Sequence, residues 1–349
     1  MVRQRAISAP PFPVHKDAAD ATLAIDAMGG DRGAAVVVAA CKRIAARYPR
    51  VKLILVGQQR ALEPLVADAG EQLSVLHASE VVAMDESPAD AVRRKKDSSM
   101  RVAINLVKSG DAAACVSSGN TGALMATAKF VLKTLPGIDR PAIMAELPST
   151  QGRVYLLDVG ANSRCDAQQL FQFAVVGSAV VANLQDIAAP RIGLLNIGSE
   201  AEKGNDVTRE ASALLTQSGL NYVGFVEGND IARHAADVIV TDGFTGNVAL
   251  KTMEGTASLI AGFLRQSFRH SFAATLQALI ARPSLRRLQR QLDPRAYNGA
   301  SFVGLNGIVV KSHGSADDVA FEHAIETALF EIQDNLPAQI HRWLKSEAA

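Results

Sequence analysis

Short runs of glycine and small polar residues recur along the 349-residue chain, and each of them follows an apolar segment. The first five runs occupy residues 27–33, 117–122, 158–162, 197–205 and 242–247. Glycines let backbone N–H groups approach a ligand closely, and the start of a following helix adds unpaired donors and a partial positive charge. Residues of this kind in this position indicate a site for an anion.

The stretch 238–251 shows the pattern most clearly. An apolar strand ends, the chain turns at Asp242 and Gly243, and Thr245 begins a long helix. We predict that the N–H groups around Gly243 and Gly246 face an anionic ligand. One such turn by itself is more often an ordinary connection between a strand and a helix, so the repetition of the pattern carries the argument.

Strands and helices alternate along most of the chain, which is typical of an open, mostly parallel sheet with helices on both faces. We therefore predict a three-layer α/β/α fold. Ligands on such sheets bind at the carboxyl ends of the strands, and we expect the five polar turns to share one edge. No turn has the GxxxxGK[ST] or complete GxGxxG pattern, so ATP and dinucleotide sites are poor explanations. The pattern also predicts neighbouring strands over 142–147 and 153–158 and one last helix over 316–345.

The composition is that of a globular protein, with 48% hydrophobic residues and a formal net charge of +1. This balance gives no sign of a nucleic-acid partner. The three cysteines are widely spaced, which argues against a zinc site or a disulfide framework and suits a reducing cytoplasm. Residues 1–20 are expected to form a disordered extension, and residues 21–349 a single domain. The basic run 93–96 is predicted to be either a solvated helix face or a surface for an anionic partner.

A helical arm is predicted over about 255–298. No acidic residue lies between Glu254 and Asp293, six arginines do, and Pro283 interrupts the helical pattern. The arm is consistent with a dimer or core helix that has a basic outer face. It is also consistent with docking to an anionic membrane or an acidic protein. The docking candidates are apolar or basic residues: Phe268, Phe272, Leu276, Leu279, Ile280, Arg282, Arg286 and Arg287.

Six motifs in order give the chain a specific resemblance. They are IDAMGGD at 25–31, SSGNTG at 117–122, DVGAN at 158–162, KGN at 203–205, TDGFTGN at 241–247 and VKSHGS at 310–315. Together they resemble the bacterial phosphate acyltransferases of phospholipid synthesis, the PlsX family. The resemblance extends from about Thr22 to Arg342.

The resemblance implies that inorganic phosphate attacks the thioester of a long-chain acyl carrier protein and releases an acyl phosphate. A membrane glycerol-3-phosphate acyltransferase would consume that product. It also implies a homodimer with a fold like those of the phosphotransacetylases and the isopropylmalate dehydrogenases. The enzyme would be cytoplasmic and peripherally associated with the inner face of the cell membrane, where its arginine-bearing arm would contact anionic lipid.

Phosphate is its own nucleophile in this reaction, so the enzyme must hold a dianion and stabilise an oxyanion. We expect Lys203 to neutralise charge and Asn247 to donate to the oxyanion or orient phosphate. The remaining expected substrate-binding residues belong to the same motifs: Asp26, Gly29, Gly30, Asp31, Ser118, Asn120, Thr121, Asp158, Asn162, Asp242, Gly243, Thr245, Gly246 and His313. The aspartates would orient donors or cap helices, because carboxylates repel phosphate. No cofactor is expected, although a divalent cation bridging these aspartates is not excluded.

Three alternatives remain open from the sequence. A phosphotransacetylase using acyl-coenzyme A would have a similar fold. A non-catalytic membrane scaffold would need no phosphate site, and the polar turns argue against it. A β-decarboxylating dehydrogenase would need a cofactor loop and a metal carboxylate cluster, for which the chain has no convincing residues.

Overall fold

A computed structural model describes residues 20–267, 283 and 293–347. The strands are β1 Ala21–Asp26, β2 Val51–Gly57, β3 Leu73–His77, β4 Ala114–Ser117, β5 Ala142–Ser149, β6 Gly152–Leu157, β7 Ile192–Leu195, β8 Tyr222–Val226, β9 Val238–Val240, β10 Ala300–Val303 and β11 Ile308–Lys311. The helices are α1 Ala34–Arg47, α2 Gln59–Val66, α3 Pro88–Arg94, α4 Ser99–Ser109, α5 Thr121–Leu132, α6 Ala167–Gln185, α7 Asp206–Thr216, α8 Gly228–Arg233, α9 Gly243–Ser267, α10 Asp318–Gln333 and α11 Leu336–Glu347.

All eleven strands of the described residues form one sheet, in the order β3-β2-β1-β4-β11-β10-β5-β6-β9-β7-β8. The first five strands in this order are parallel to one another, and so are the last four. Three antiparallel pairings, β11–β10, β10–β5 and β5–β6, separate the two parallel halves. The predicted pairing of the strands over 142–147 and 153–158 is therefore confirmed, and so is the mostly parallel α/β fold.

An odd number of antiparallel pairings means that the two halves of the sheet run in opposite directions. The prediction that all polar turns share one edge is therefore wrong. The turns after β1, β4 and β11 lie at one edge, while the turns after β6, β7 and β9 lie at the other. Sequence alternation alone could not reveal this reversal, because strands in either half are followed by similar turns and helices.

Three apolar cores fill the space between the sheet and the helices. One joins α4 and α5 to β1, β4 and β5, while a second joins α1 and α10 to the opposite face of β1, β2 and β4. The third surrounds α6. This helix is long and apolar enough to cross a membrane, but 67% of its apolar stretch is buried inside the protein. Burial of this kind identifies α6 as the central helix of the third core.

The C-terminal helix differs from the prediction. Instead of one helix over 316–345, α10 ends at Gln333 and α11 begins at Leu336. Asn335 between them has a positive φ of 47°, a conformation that asparagine tolerates better than most residues. The predicted arm over about 255–298 is described only at its base, as α9 to Ser267 and as a 3₁₀ turn at Pro294–Tyr297.

Candidate active site

The first cluster consists of the turns after β1, β4 and β11. Asp26 ends β1 with only 1% of its surface exposed, and the Ser117 hydroxyl donates to Oδ2 of Asp26 over 2.6 Å. Burial raises the pKa of Asp26, while hydrogen bonds from Ser117, Ser99, Met28 and Gly29 oppose that effect. Asp26 therefore organises the turn from inside the protein, in agreement with the expectation that the aspartates orient neighbouring donors.

The three turns of the first cluster contact one another through backbone groups and the hydroxyl of Ser118. Gly30 has a φ of 85°, and a methyl group added there would lie 2.6 Å from Oγ of Ser118. The N–H of Asp31 donates to the carbonyl of Gly314 over 2.8 Å. Ser118 in turn donates to the carbonyl of Gly29 over 2.9 Å. A side chain at position 30 would separate the turns, so glycine is required there.

The side chain of Asn120 fixes the start of α5. Its side-chain oxygen accepts from the N–H of Ala123 over 3.0 Å and caps the helix. Its amide nitrogen donates to the carbonyls of Met84 and Glu86, over 2.8 and 3.0 Å. We had expected Asn120 to bind substrate, but no donor of its side chain is left for that task. The half-buried Thr121 follows as the first residue of the helix.

Lys311, the last residue of β11, was not assigned a role from the sequence. Its side chain is buried, and its amine donates to the carbonyls of Ser118, over 3.3 Å, and of Ser312. Burial, with the positive charge of Lys251 as a second cause, lowers the pKa of Lys311 to about 8. The clue in the sequence was a lysine on a buried strand immediately before a polar turn, a position where lysine is rare without a polar or charged partner.

His313 follows Lys311 by two residues and is exposed. Its Nδ1 accepts from the N–H of Ser315 over 3.2 Å and lies 2.8 Å from the hydroxyl of Ser315. In the neutral ring the proton is therefore assigned to Nε2. Partial burial and the charge of Lys251 lower the pKa of His313. This histidine offers a hydrogen-bond donor rather than a positive charge at neutral pH.

The second cluster consists of the turns after β6, β7 and β9, and Asp158 is its centre. The Asp158 carboxylate accepts from five groups: the N–H groups of Ile143, Gly160, Ala161 and Asn162, and the side-chain amide of Asn162. Burial raises the pKa of Asp158, while these donors oppose the rise. Asp158 and Asn162 thus fix the turn. Oδ1 of Asn162 is buried and has no hydrogen-bond partner among the described residues.

Replacing Asp158 by asparagine is expected to destabilise the fold by about 2–3 kcal/mol, because the new amide would face donors that need an acceptor. The free energy of unfolding in urea at pH 7 measures this effect. Asp111→Asn is the matched control, since that exposed carboxylate accepts from the hydroxyl of Ser109. Equal stabilities for the two variants would contradict the assigned role of Asp158.

The N–H groups at the start of α9 are not free, so the prediction for Gly243 and Gly246 is wrong. Gly243 donates to the carbonyl of Asn162 over 2.7 Å, and Gly246 donates to the carbonyl of Asp242 over 2.9 Å. Asp242 also accepts from the N–H groups of Phe244 and Thr245 and from the Thr245 hydroxyl. The expected capping role of Asp242 is confirmed. The glycines serve close packing instead of anion binding, because a methyl group on Gly246 would lie 1.9 Å from the carbonyl oxygen of Asp158.

The two expected catalytic residues both lie in the second cluster. Asn247 is exposed on α9, and a methyl group on Gly160 would lie 3.8 Å from its Oδ1. Lys203 is exposed in the turn after β7, the strand next to β9. Within the part of the chain that the structure describes, Lys203 has no carboxylate partner, so its charge is available to a ligand.

Helix α9 connects the two clusters. It begins in the second cluster, and Asn247 and Lys251 lie one turn apart on the same face. Lys251 pairs with Glu254 over 2.7 Å, and its charge lowers the pKa of both Lys311 and His313 in the first cluster. One helix face thus leads from Asn247 to Lys251, whose charge acts on Lys311 and His313 of the first cluster. The two clusters therefore contribute to one candidate site, although their turns lie at opposite edges of the sheet.

A Ser–His–Asp chain elsewhere in the fold has a structural explanation. His234 lies 2.9 Å from the hydroxyl of Ser149 through Nδ1 and 3.0 Å from Asp237 through Nε2. Asp237 also accepts from the backbone and the guanidinium of Arg191, and these contacts lower the pKa of Asp237. The carboxylate therefore ties the beginnings of β7 and β9 together.

Among residues 20–267, 283 and 293–347, no three histidine, cysteine or acidic side chains are grouped closely enough to hold a metal ion. The buried Asp26 and Asp158 already accept hydrogen bonds from protein donors.

Solved structures with the same architecture include phosphotransacetylases. The enzyme from Streptococcus pyogenes matches with a TM-score of 0.58 and 20% identity, over 89% of this chain and 93% of its own. The EutD phosphotransacetylase from Staphylococcus aureus matches with a TM-score of 0.56 and 15% identity, over 90% of this chain and 94% of its own. At this level of identity the comparison shows the fold, which is that of the phosphotransacetylases.

Sequence comparison gives the family. The model of the fatty acid synthesis protein family matches residues 21–339. The phosphate acyltransferase of Nitrosococcus oceani is 53% identical over 93% of this chain and 96% of its own, and that of Alkalilimnicola ehrlichii is 55% identical over the same shares. The chain belongs to the phosphate acyltransferase family, and it is an acyltransferase of lipid synthesis.

Proposed function

We propose that the enzyme transfers a long-chain fatty acyl group from acyl carrier protein to inorganic phosphate by direct attack of phosphate on the thioester. The supporting observation is the group of two lysines and one histidine donor around the first cluster. Three groups lie near one another beside the start of α5: the buried amine of Lys311, the exposed amine of Lys251 and the ring N–H of His313. Positive charge in a partly buried site attracts a dianion more strongly than it does in water.

The cysteines support a reaction without an acyl-cysteine intermediate. Burial raises the pKa of Cys41 and Cys115 well above the ordinary value, and it raises the pKa of Cys165 to about 12. A thiol with a raised pKa is a poor nucleophile, because the thiolate is the reactive form. Phosphate needs no such activation and can attack the carbonyl itself, provided that it is held in line.

The second cluster would stabilise the oxyanion that forms on the thioester carbonyl. Lys203 supplies a positive charge that no carboxylate of the described residues pairs with, and Asn247 supplies an amide donor on the helix face that leads to Lys251. Asp158 and Asn162 hold the turn on which Asn247 rests. Removing one oxyanion donor typically costs about a hundredfold to a thousandfold in kcat.

The proposal also covers the oligomeric state of the enzyme and its location in the cell. The enzyme would act as a homodimer in the cytoplasm, peripherally associated with the inner face of the cell membrane, and its acyl phosphate would pass to a membrane glycerol-3-phosphate acyltransferase. The membrane-docking candidates Phe268, Phe272, Leu276, Leu279, Ile280, Arg282, Arg286 and Arg287 lie outside the described residues, so their assignment remains a prediction from the sequence.

Trapping the product with hydroxylamine tests the proposed function, since an acyl phosphate yields a hydroxamate. We expect palmitoyl-acyl carrier protein and phosphate to give the hydroxamate, and Lys203→Ala to reduce its formation about a hundredfold. Lys52→Ala, which changes an exposed lysine on β2, is the matched control. Product from acyl-coenzyme A alone would favour the phosphotransacetylase alternative, and full activity of Lys203→Ala would remove the assigned role of Lys203.

A further inference from the structure

An exposed aromatic ring between two cations lies on the surface of helices α4 and α5. Phe130 on α5 has 53% of its surface exposed. The guanidinium of Arg101 on α4 lies 4.9 Å from the centre of its ring, and the amine of Lys133 lies 5.0 Å from it. We call Arg101, Phe130 and Lys133 the Phe130 patch. A large aromatic side chain left exposed beside cations is typical of a contact surface, since aromatic residues and arginine are enriched at interfaces.

The sequence that forms this surface carries an excess of positive charge. Between Asp97 and Asp139 the sequence contains four cations, Arg101, Lys108, Lys129 and Lys133, and one acidic residue, Asp111. Burial lowers the pKa of Arg101. Within the described residues, neither Arg101 nor Lys133 forms an ion pair. A surface of this kind attracts an acidic partner.

The basic run 93–96, which the sequence suggested for an anionic partner, is less suitable. Arg94 lies 3.3 Å from Asp90, and Lys95 lies 3.0 Å from Glu86. The Lys95 amine also donates to the carbonyl of Val81. Two of its four charges are therefore already paired with carboxylates of the same chain.

Both helices that carry the patch begin at the candidate active site. Ser99 in the first turn of α4 bonds the buried Asp26, and α5 begins at Thr121 after the cap Asn120. Phe130 follows Thr121 by nine residues, which corresponds to roughly 14 Å along a helix. A partner on the patch would sit beside the site rather than in it, and it would need a flexible arm to deliver its acyl group.

We propose that the Phe130 patch is the docking surface for the acidic protein that carries the acyl group on a flexible arm. This inference rests on the proposed function and deepens it, because it assigns a docking surface to the acyl carrier protein. Carboxylates of the partner would pair with Arg101 and Lys133, and an apolar side chain would cover Phe130. The arm would reach the first cluster along α5.

Charge reversal tests the proposal. The variant Arg101→Glu/Lys133→Glu is compared with the wild type for two donors, palmitoyl-acyl carrier protein and palmitoyl N-acetylcysteamine thioester, which has the acyl group but no protein. We expect the KM for the carrier protein to rise about tenfold while kcat and the kinetics with the small thioester stay unchanged. Arg60→Glu is the matched control, since α2 packs on the opposite face of the sheet from α4 and α5.

Three outcomes would overturn the proposal. If the double variant behaves like Arg60→Glu with both donors, the carrier does not dock on this patch. If both donors are affected equally, the variant has disturbed the active site or the fold. If only binding to vesicles of anionic phospholipid is lost, the patch is a membrane surface. Failure of the wild type to use the carrier protein at all would instead refute the proposed function, and the comparison of donors separates that case from the others.

Discussion

Gly246→Ala is expected to lower activity at least a hundredfold and to destabilise the fold by about 1–3 kcal/mol, because an inserted methyl group in a packed site forces the backbone to move. The added carbon would lie 1.9 Å from the carbonyl oxygen of Asp158. The start of α9 would have to shift away from the turn after β6, and Asn247 is the next residue. Asn247, the proposed oxyanion donor, would then be displaced. Steady-state turnover and thermal unfolding measure the two effects.

Gly255→Ala provides the matched control on the same helix. Among the residues that the structure describes, no atom lies within 4 Å of a methyl group added at Gly255. Alanine at an exposed position inside a helix is expected to stabilise it by about 1 kcal/mol relative to glycine. Opposite signs for the two variants would confirm that packing against Asp158, rather than helix propensity, determines the cost at position 246. A Gly246→Ala enzyme with normal turnover would contradict the proposed position of the site.

Lys311→Met is expected to reduce kcat/KM for phosphate about a hundredfold, because a charged hydrogen-bond donor contributes roughly 1.5–3 kcal/mol. The same variant should unfold at a temperature equal to or above that of the wild type. The folded-state pKa of Lys311 is lowered from 10.5 to about 8, so the protein folds more readily with the neutral amine. A charged amine in this position therefore costs stability at neutral pH, and stability rises as pH increases from about 8 towards the unfolded value near 10.5.

The pH dependence gives a second measurement on Lys311. The protonated amine is the form that attracts phosphate, so wild-type kcat/KM for phosphate should fall as pH rises through about 8. Lys311→Arg keeps its charge throughout this range and should lack that falling limb. Lys251→Met is the comparison for loss of a nearby exposed cation. If Lys311→Met retains full phosphate dependence, the amine has only a structural role.

The sequence was sufficient for the elements and the motifs but not for their three-dimensional arrangement. Apolar segments and polar turns predicted the alternation of strands and helices and the paired strands β5 and β6, because local periodicity and turn chemistry determine such elements. The reversal of the sheet at β10, β5 and β6 depends on pairing between distant segments, and no local pattern encodes it. The expected shared edge was wrong for this reason.

The same limit applies to the site residues, because the sequence shows where they lie in the chain but not what they contact. The sequence predicted anion binding by Gly243 and Gly246, but the structure shows that their N–H groups are paired and that Asp158 fills the space beside them. Lys311 and Lys251 were passed over, because a lysine in a sequence does not reveal which buried carbonyls or neighbouring cations surround it. The two lysines come close to each other because β11 and α9, which are distant along the chain, approach each other in the fold.

Release of free thiol from palmitoyl-acyl carrier protein, followed in the first turnover with and without phosphate, tests the central claim most directly. Direct attack predicts no release without phosphate and release in equal amount with acyl phosphate once phosphate is added. A burst of thiol equal to the enzyme concentration in the absence of phosphate would show a covalent acyl-enzyme and would contradict the account.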